Sequence, residues 1–229
     1  MSTNLIATSY ERDGYYIAPR LLCDEECDTF KKDGLRVLQE NARKGASVYV
    51  GAAAANPAFR QLAEDQRMVA ILREIMPDGV AFLSDKIVFK SGEQRFASPW
   101  HIDAFYWRNT RPKLSVWIPL DDVSSDNGTL LVVRGSHKRE WEPVHIKSQA
   151  SNNEFEQQIE GRGWSFADEV ICNLPRGSAV FFSDRLVHAS CPNPSGRDRY
   201  TIISTYHAPV AEEPFDQAFP ARKVIVPAP

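Results

Sequence analysis

The sequence predicts an α+β fold in which N-terminal helices flank a double-stranded β-helix core, the cupin-like arrangement of two sheets also called a jelly roll. Apolar residues recur with a helical period up to about residue 79, and then change to the period of two that is typical of strands. Helices followed by many short strands are typical of α+β proteins and of double-sheet jelly rolls. With 229 residues, 43% of them hydrophobic, the chain is long enough to bury one sizeable core. We therefore expect a single domain over 1–229, with a mainly helical buttress in 1–79 and the jelly roll in 80–209.

The helical part is predicted to contain a short strand and two helices. Residues 1–20 are predicted to form a lead-in strand around Tyr15, Tyr16 and Ile17. A helix is predicted over 24–44, because Asp24 is a suitable N-cap and acidic residues fill the first turn. A second helix is predicted from Asn56-Pro57 to the residue before Pro77, with the proline at the first helical position.

Strands are predicted wherever apolar and polar residues alternate between Gly, Pro, Asn and Asp, namely at 80–90, 113–120, 129–133, 178–182 and 199–207. In the second of these segments, one face carries Leu114, Val116, Ile118 and Leu120, and the other carries Ser115 and Trp117. Residues 138–168 form a long charged connection with Trp141, Trp164 and Phe166. A connection of this length in a compact barrel is often functional, so we predict a lid with its aromatic side chains turned towards the substrate, or else an insertion packed on the outer surface.

Composition and charge exclude several classes of function. The net charge of −3 gives no basic footprint for nucleic acid or an anionic membrane, and no apolar run is long enough to span a bilayer. The N-terminus shows no secretory signal, and the four cysteines are scattered without the spacing of a disulfide framework. We expect a cytoplasmic protein with reduced thiols; the oligomeric state is not predicted.

The segment Trp100-His101-Ile102-Asp103 suggests a metal site. On an extended segment the side chains of His101 and Asp103 point the same way, because strand side chains alternate. His188, which follows a second apolar run 87 residues later, is the candidate third ligand. Two imidazoles and one carboxylate that leave neighbouring positions open are the facial triad of non-haem Fe(II) oxygenases.

Further motifs resemble the phytanoyl-CoA dioxygenase-like (PhyH) family of Fe(II)/2-oxoglutarate oxygenases over about residues 80–207. The tail from His188 to Arg199 is similar to the C-terminal signature of that family, in which an arginine stands eleven residues after the distal histidine. Three other matches are Lys90-Ser91-Gly92 ahead of the Trp-His-x-Asp segment, Asn127-Gly128-Thr129-Leu130, and Gly135-Ser136-His137.

The resemblance implies a hydroxylase or desaturase that acts on a small-molecule substrate, uses Fe(II), 2-oxoglutarate and O2, and releases succinate and CO2. It places iron on His101, Asp103 and His188. The carboxylate of Asp103 argues against halogenation, since halogenating relatives have Gly or Ala there. Arg199 is the predicted anchor of the far carboxylate of 2-oxoglutarate, because a guanidinium binds a carboxylate through two parallel hydrogen bonds. Arg197 is its competitor.

Other residues are predicted from the same resemblance. Ser190, Trp117 and Lys86 match positions that contact the cosubstrate, whereas Lys90 is expected to be structural or solvated. The segment after the metal motif borders the substrate in relatives, so the substrate contacts are predicted to be Phe105, Tyr106, Trp107 and Arg108.

Two alternatives remain open from the sequence. One is a cupin-like metal enzyme that uses no 2-oxoglutarate, although such sites usually take two histidines from one strand. The other is a jelly-roll binding protein without catalysis, which would not be expected to keep a complete triad together with Arg199.

Overall fold

The structure, a computed structural model, describes residues 5–43, 46–107, 109–146, 155–209 and 219–229. Its first third contains α1 (Leu5–Asp13), β1 (Tyr15–Ala18), α2 (Asp24–Asn41), β2 (Val48–Val50), α3 (Ala52–Ala55), α4 (Pro57–Ala63) and α5 (Gln66–Ile75). Strands follow: β3 (Val80–Lys90), β4 (Ser98–His101), β5 (Lys113–Pro119), β6 (Leu130–Val133), β7 (Val144–His145), β8 (Gln157–Gln158), β9 (Glu169–Ile171), β10 (Ala179–Ser183), β11 (His188–Ser190), β12 (Arg199–His207) and β13 (Lys223–Val226). The predicted α+β order is confirmed.

The strands form two main antiparallel sheets. The larger sheet has the order β1-β10-β5-β12-β3-β13, and β2 pairs with β3 beside it. The smaller sheet has the order β4-β11-β6-β9, and β7 pairs with β8 separately. Neighbours in each sheet are distant in sequence, as the crossovers of a jelly roll require.

Alternation along β5 divides the molecule into an outer core and an inner space, as the sequence predicts. Leu114, Val116 and Ile118 belong to a buried cluster that includes side chains of α4 and α5. Trp117, on the other face of β5, packs with residues of both sheets, including Val132 and Phe182. The helices therefore cover the outer face of the larger sheet and leave its inner face for the site.

Three predictions about the first third of the chain need correction. Residues 5–13 form a helix ahead of the lead-in strand. The N-cap of α2 is Cys23 instead of Asp24, and the Cys23 N–H donates to the Glu26 carboxylate (2.7 Å). The second predicted helix is two helices, because the Asp65 side chain accepts from Arg67 N (2.8 Å) and starts α5 as a new helix. Among the described residues, none of the helices combines the length and the apolar character that crossing a membrane needs.

Candidate active site

The two histidines of the predicted triad lie opposite one another on neighbouring strands. Antiparallel pairing of β4 with β11 places His101 against His188. Asp103 does not continue β4 as predicted, because it begins a 3-10 turn, Asp103–Tyr106, after the extended residue Ile102. Its Oδ1 nevertheless lies 3.8 Å from His101 Nε2 and 3.7 Å from His188 Nε2. One ligand atom from each residue fits within 4.8 Å of the others.

Hydrogen bonds fix which ring nitrogen of each histidine faces Asp103. His101 Nδ1 lies 2.7 Å from Pro99 O, and His188 Nδ1 lies 2.9 Å from Leu186 O. A carbonyl oxygen only accepts, so both Nδ1 atoms must carry the proton and each Nε2 keeps a free lone pair. Ser115 Oγ donates to Asp103 Oδ2 (3.2 Å) and orients the carboxylate in the same way.

Burial gives the three side chains the protonation states that a metal site needs. Burial lowers the pKa of His101 and of His188, so both imidazoles are neutral near pH 7. Burial by itself would raise the pKa of Asp103, but His188, Lys86 and His101 together hold it below its usual range. Two neutral imidazoles and an ionised carboxylate fit a ferrous ion.

A cavity of about 310 Å³ lies between the sheets, and all three triad residues line it. Its lining has an apolar part and a cationic part. The apolar and aromatic side chains come mainly from Val48, Val50, Val88, Phe96, Tyr106, Trp107, Trp117, Leu130, Phe155, Phe182, Ala189 and Ile203, and the cationic ones from Lys86, Lys90 and Arg199.

Arg199 lies at one end of this cavity and is 2% exposed. Its Nη1 donates to Thr201 Oγ1, whereas Nε is buried without a hydrogen-bond partner among the described residues. Burial lowers the pKa of Arg199 to about 10, an effect that Asp121 partly offsets, so the side chain stays charged near pH 7. Its competitor Arg197 is exposed and does not line the cavity. A buried guanidinium with a spare N–H fits a carboxylate ligand.

Lys90, which the sequence predicts to be structural or solvated and not a site residue, lines the cavity. Register pairs it with Arg199 across β3 and β12, and it is 1% exposed. Its Nζ donates to Ser190 Oγ (2.8 Å) and to Cys191 O (2.7 Å). Burial and then Arg199 lower the pKa of Lys90 to about 7. Its spacing of four residues from Lys86, which places both on one face of a strand, was the available signal.

The predicted Asn127-Gly128 turn closes over this cationic end. Gly128 has a φ of +91°, and a Cβ there would lie 2.9 Å from Lys90 Cδ and 3.4 Å from Arg199 Nη2. Glycine is therefore needed both for the backbone conformation and for the close approach to the two cations. The turn that the sequence matched to a family motif has a direct packing role at the site.

The remaining predicted site residues divide into two groups. Ser190, Trp117 and Lys86 line the cavity, as do Tyr106 and Trp107. Phe105 does not line it: the 3-10 turn directs this side chain into a separate cluster with Val133 and Val187, which corrects its prediction as a substrate contact. Arg108 lies outside the described residues.

The 138–168 connection contributes to the cavity through a residue that the sequence did not single out. The Phe155 ring lies 4.7 Å from the His101 ring, centroid to centroid. Trp164 instead packs edge-on against Trp100 and Trp141, and Phe166 is 70% exposed. The prediction that these three aromatic side chains turn towards the substrate is therefore wrong. Residues 147–154 of the connection lie outside the described residues, and a lid there stays a prediction.

Comparisons with known proteins show the family of this chain. The family model described as phytanoyl-CoA dioxygenase (PhyH) matches residues 10–201. Ectoine dioxygenase of Stutzerimonas stutzeri (strain A1501) is 26% identical over 242 residues, which cover 92% of this chain and 79% of that protein. L-proline trans-4-hydroxylase of Streptomyces griseoviridis is 22% identical over 224 residues, which cover 86% of this chain and 84% of that protein.

One solved structure covers almost the whole chain. EvdO2 from Micromonospora carbonacea var. aurantiaca, complexed with 2-oxoglutarate, aligns with a TM-score of 0.73 over 93% of this chain and 96% of that one, at 20% identity. At this identity the similarity shows the fold alone, and the predicted jelly-roll core is confirmed.

Proposed function

This chain belongs to the phytanoyl-CoA dioxygenase (PhyH) family, and we propose that His101, Asp103 and His188 hold the iron with which it works. The chain is a 2-oxoglutarate-dependent dioxygenase that hydroxylates a small molecule. When bound, iron and 2-oxoglutarate would supply the oxidation: one oxygen atom of O2 enters the substrate and the other enters succinate, which forms with CO2 from the cosubstrate. The relatives named above act on ectoine and on L-proline, which supports a small polar substrate.

The chain's own residues bind and orient the reactants. We assign Arg199 to the far carboxylate of 2-oxoglutarate. Lys90, beside it, is a second basic group, and its hydrogen bond to Ser190 adds a hydroxyl to the same end of the cavity. Trp117 lines the same cavity, and we assign it a contact with the cosubstrate. The predicted contact of Lys86 with the cosubstrate is tested below. The observation that carries the proposal is a buried arginine with a spare N–H in the cavity that contains the triad.

Two other aspects stay proposals. Desaturation of the substrate would use the same triad as hydroxylation, and identification of the product distinguishes the two reactions. We also propose a cytoplasmic location, supported by the four cysteines, all of which are free thiols.

Succinate release tests the proposed function. Protein loaded with Fe(II) under nitrogen and supplied with 2-oxoglutarate should release succinate when O2 is admitted, and more of it with ectoine or L-proline if either resembles the substrate. Asp103→Ala should abolish this release, whereas His145→Ala, which changes an exposed histidine, should leave it unchanged. Wild-type protein that holds iron yet forms no succinate would favour the cupin-like alternative, and protein that holds no iron would favour the binding protein.

A further inference from the structure

Two lysines on β3 serve different ends of the cavity. Lys86 and Lys90 lie on one face of the strand, four residues or about 13 Å apart along it. Register places Lys90 against Arg199 and Lys86 against Ile203, with Val50 on its other side. Ile203 is paired in turn with Trp117 of β5, two residues from Ser115, which donates a hydrogen bond to Asp103. Lys86 therefore belongs to the metal end of the cavity.

Within the described residues, the ammonium group of Lys86 has no hydrogen-bond or ion-pair partner. The residue is partly buried in the cavity wall. Lys90, by contrast, has two oxygen acceptors within 2.8 Å. A partly desolvated ammonium without an acceptor favours a ligand that brings a negative charge.

The charge balance of the whole cavity also favours a negatively charged ligand. Among its described lining residues, Lys86 and Arg199 are cationic, Lys90, with a pKa of about 7, is charged in part near pH 7, and Asp103 is the one carboxylate. A ferrous ion adds two positive charges, and 2-oxoglutarate brings two negative ones, so positive charge still predominates when both are bound. Such a surplus favours an anionic second ligand through its field.

The rest of the outer cavity is apolar and small. Val50 is paired with Lys86, Phe155 lies against His101, and Tyr106 and Trp107 follow Asp103 closely in the chain; all four line the cavity. The Tyr106 hydroxyl donates to Gln157 O (3.1 Å) and accepts from Gln157 N (3.3 Å), so it is already engaged. At about 310 Å³ the cavity is at the lower end of the range for ligand sites, and the cosubstrate takes part of it. This space suits a compact apolar body and does not enclose a long thioester.

We propose that the substrate is a small carboxylate with a compact apolar body, and that Lys86 binds its carboxylate group while a nearby carbon faces the triad. The proposal rests on the proposed function, since it assigns the Arg199 end of the cavity to 2-oxoglutarate. It also gives Lys86 a partner other than the cosubstrate, so Lys86 becomes a substrate-positioning residue that determines specificity by charge.

Calorimetric titration of paired ligands tests this assignment. Fe(II)-loaded protein with saturating 2-oxoglutarate, kept under nitrogen, is titrated with small carboxylates and their primary amides, beginning with L-proline and L-prolinamide, cyclopentanecarboxylate and cyclopentanecarboxamide. At least one carboxylate should bind the wild-type protein about tenfold more tightly than its amide. In Lys86→Met that preference should disappear, whereas Lys86→Arg should largely restore it.

Controls separate a structural effect from loss of the contact. Lys223→Met removes the same charge from an exposed position on β13, next to β3, and should leave the preference unchanged. The 2-oxoglutarate dissociation constant is measured for every variant, and it should change by less than about twofold in Lys86→Met. Unfolding temperatures identify variants that do not fold, in which case Lys86→Gln replaces the methionine variant.

Several results would overturn the proposal. If no carboxylate binds the wild type better than its amide, the substrate class is wrong. If Lys86→Met weakens 2-oxoglutarate binding and leaves the carboxylate preference intact, Lys86 serves the cosubstrate as the sequence predicts. Failure of the wild type to bind 2-oxoglutarate at all would instead contradict the proposed function, which separates the two failures.

Discussion

Backbone carbonyl groups two residues before each histidine set the tautomers of the candidate metal site. Pro99 O and Leu186 O hold the Nδ1 protons of His101 and His188, so each strand fixes the orientation of its own ligand. No further side chain is needed for this purpose, and Ser115 does the same for the carboxylate of Asp103. The donor set is thus oriented before any metal binds, which lowers the entropic cost of binding.

Replacement of Arg199 should affect the cosubstrate selectively. Arg199→Gln removes one partner of a buried charge-assisted contact, so 2-oxoglutarate binding should weaken by about 2–5 kcal/mol. The dissociation constant measured by calorimetry checks this, with Arg197→Gln as a matched control at an exposed position on the same chain segment. An unchanged constant in Arg199→Gln, or a large loss in Arg197→Gln, would show that the anchor is assigned to the wrong arginine.

Spacing along the chain predicted the metal site correctly, whereas burial and local backbone geometry account for the site predictions that failed. His101, Asp103 and His188 form one cluster, as their motifs predict. The inward direction of Lys90 depends on burial between two sheets, which the charge of a lysine does not suggest. Phe105 fails as a cavity residue because the chain leaves the strand geometry at Asp103 and turns.

At the scale of elements, Tyr106 connects the turn after the metal motif to β8. Its hydroxyl is both donor and acceptor towards the backbone of Gln157, and Phe155, two residues earlier, lies against His101. The same segment is tied to β4 by the bond from Ile159 N to Trp100 O (2.8 Å). These contacts hold one wall of the cavity in place through the 138–168 connection.

Removal of this hydroxyl should loosen β8 without changing the metal ligands. Tyr106→Phe deletes two hydrogen bonds, each worth about 0.5–1.5 kcal/mol, so amide hydrogen exchange in the peptide containing Gln157 should become faster. Iron binding should stay at the wild-type level. Tyr16→Phe on β1 serves as the control for loss of a tyrosine hydroxyl. Unaltered exchange at Gln157 in Tyr106→Phe would mean that the hydroxyl does not hold the segment.

The strands were predictable because burial of one face imposes an alternating pattern. In β5 that pattern separated the helix-facing residues from Ser115 and Trp117, which the structure places at the site. Helix ends were less predictable, since the break at Asp65 depends on a side-chain cap that competes with continuation of the helix. Helix α1 has no strong apolar period, so the sequence did not predict that residues 5–13 form a helix.

At the scale of the whole molecule, buried carboxylates away from the triad cost stability at neutral pH. Asp85 Oδ1 accepts from Ala53 N (3.0 Å), whereas Oδ2 is buried without a partner among the described residues. Burial raises the pKa of Asp85 to about 6. Because the folded pKa exceeds the unfolded one, the stabilising contribution is complete below about pH 4 and is lost as the pH rises through about 6.

Asp85→Asn should therefore change how stability depends on pH. The amide keeps an acceptor for Ala53 N and has no charge to desolvate. Relative to wild type, its free energy of unfolding should improve by roughly 1–2 kcal/mol between about pH 5 and about pH 8, as denaturant titrations can measure. A difference that is constant across this range would show that Asp85 titrates normally in the folded protein.

Binding of iron is the most direct test of the account, because every assigned role depends on the ion. Fe(II) titrated into metal-free protein under nitrogen, with 2-oxoglutarate present, should bind one ion per chain in the wild type and in His145→Ala. It should bind far more weakly in His101→Ala and in His188→Ala. Equal iron binding by these two variants and the wild type would contradict the account.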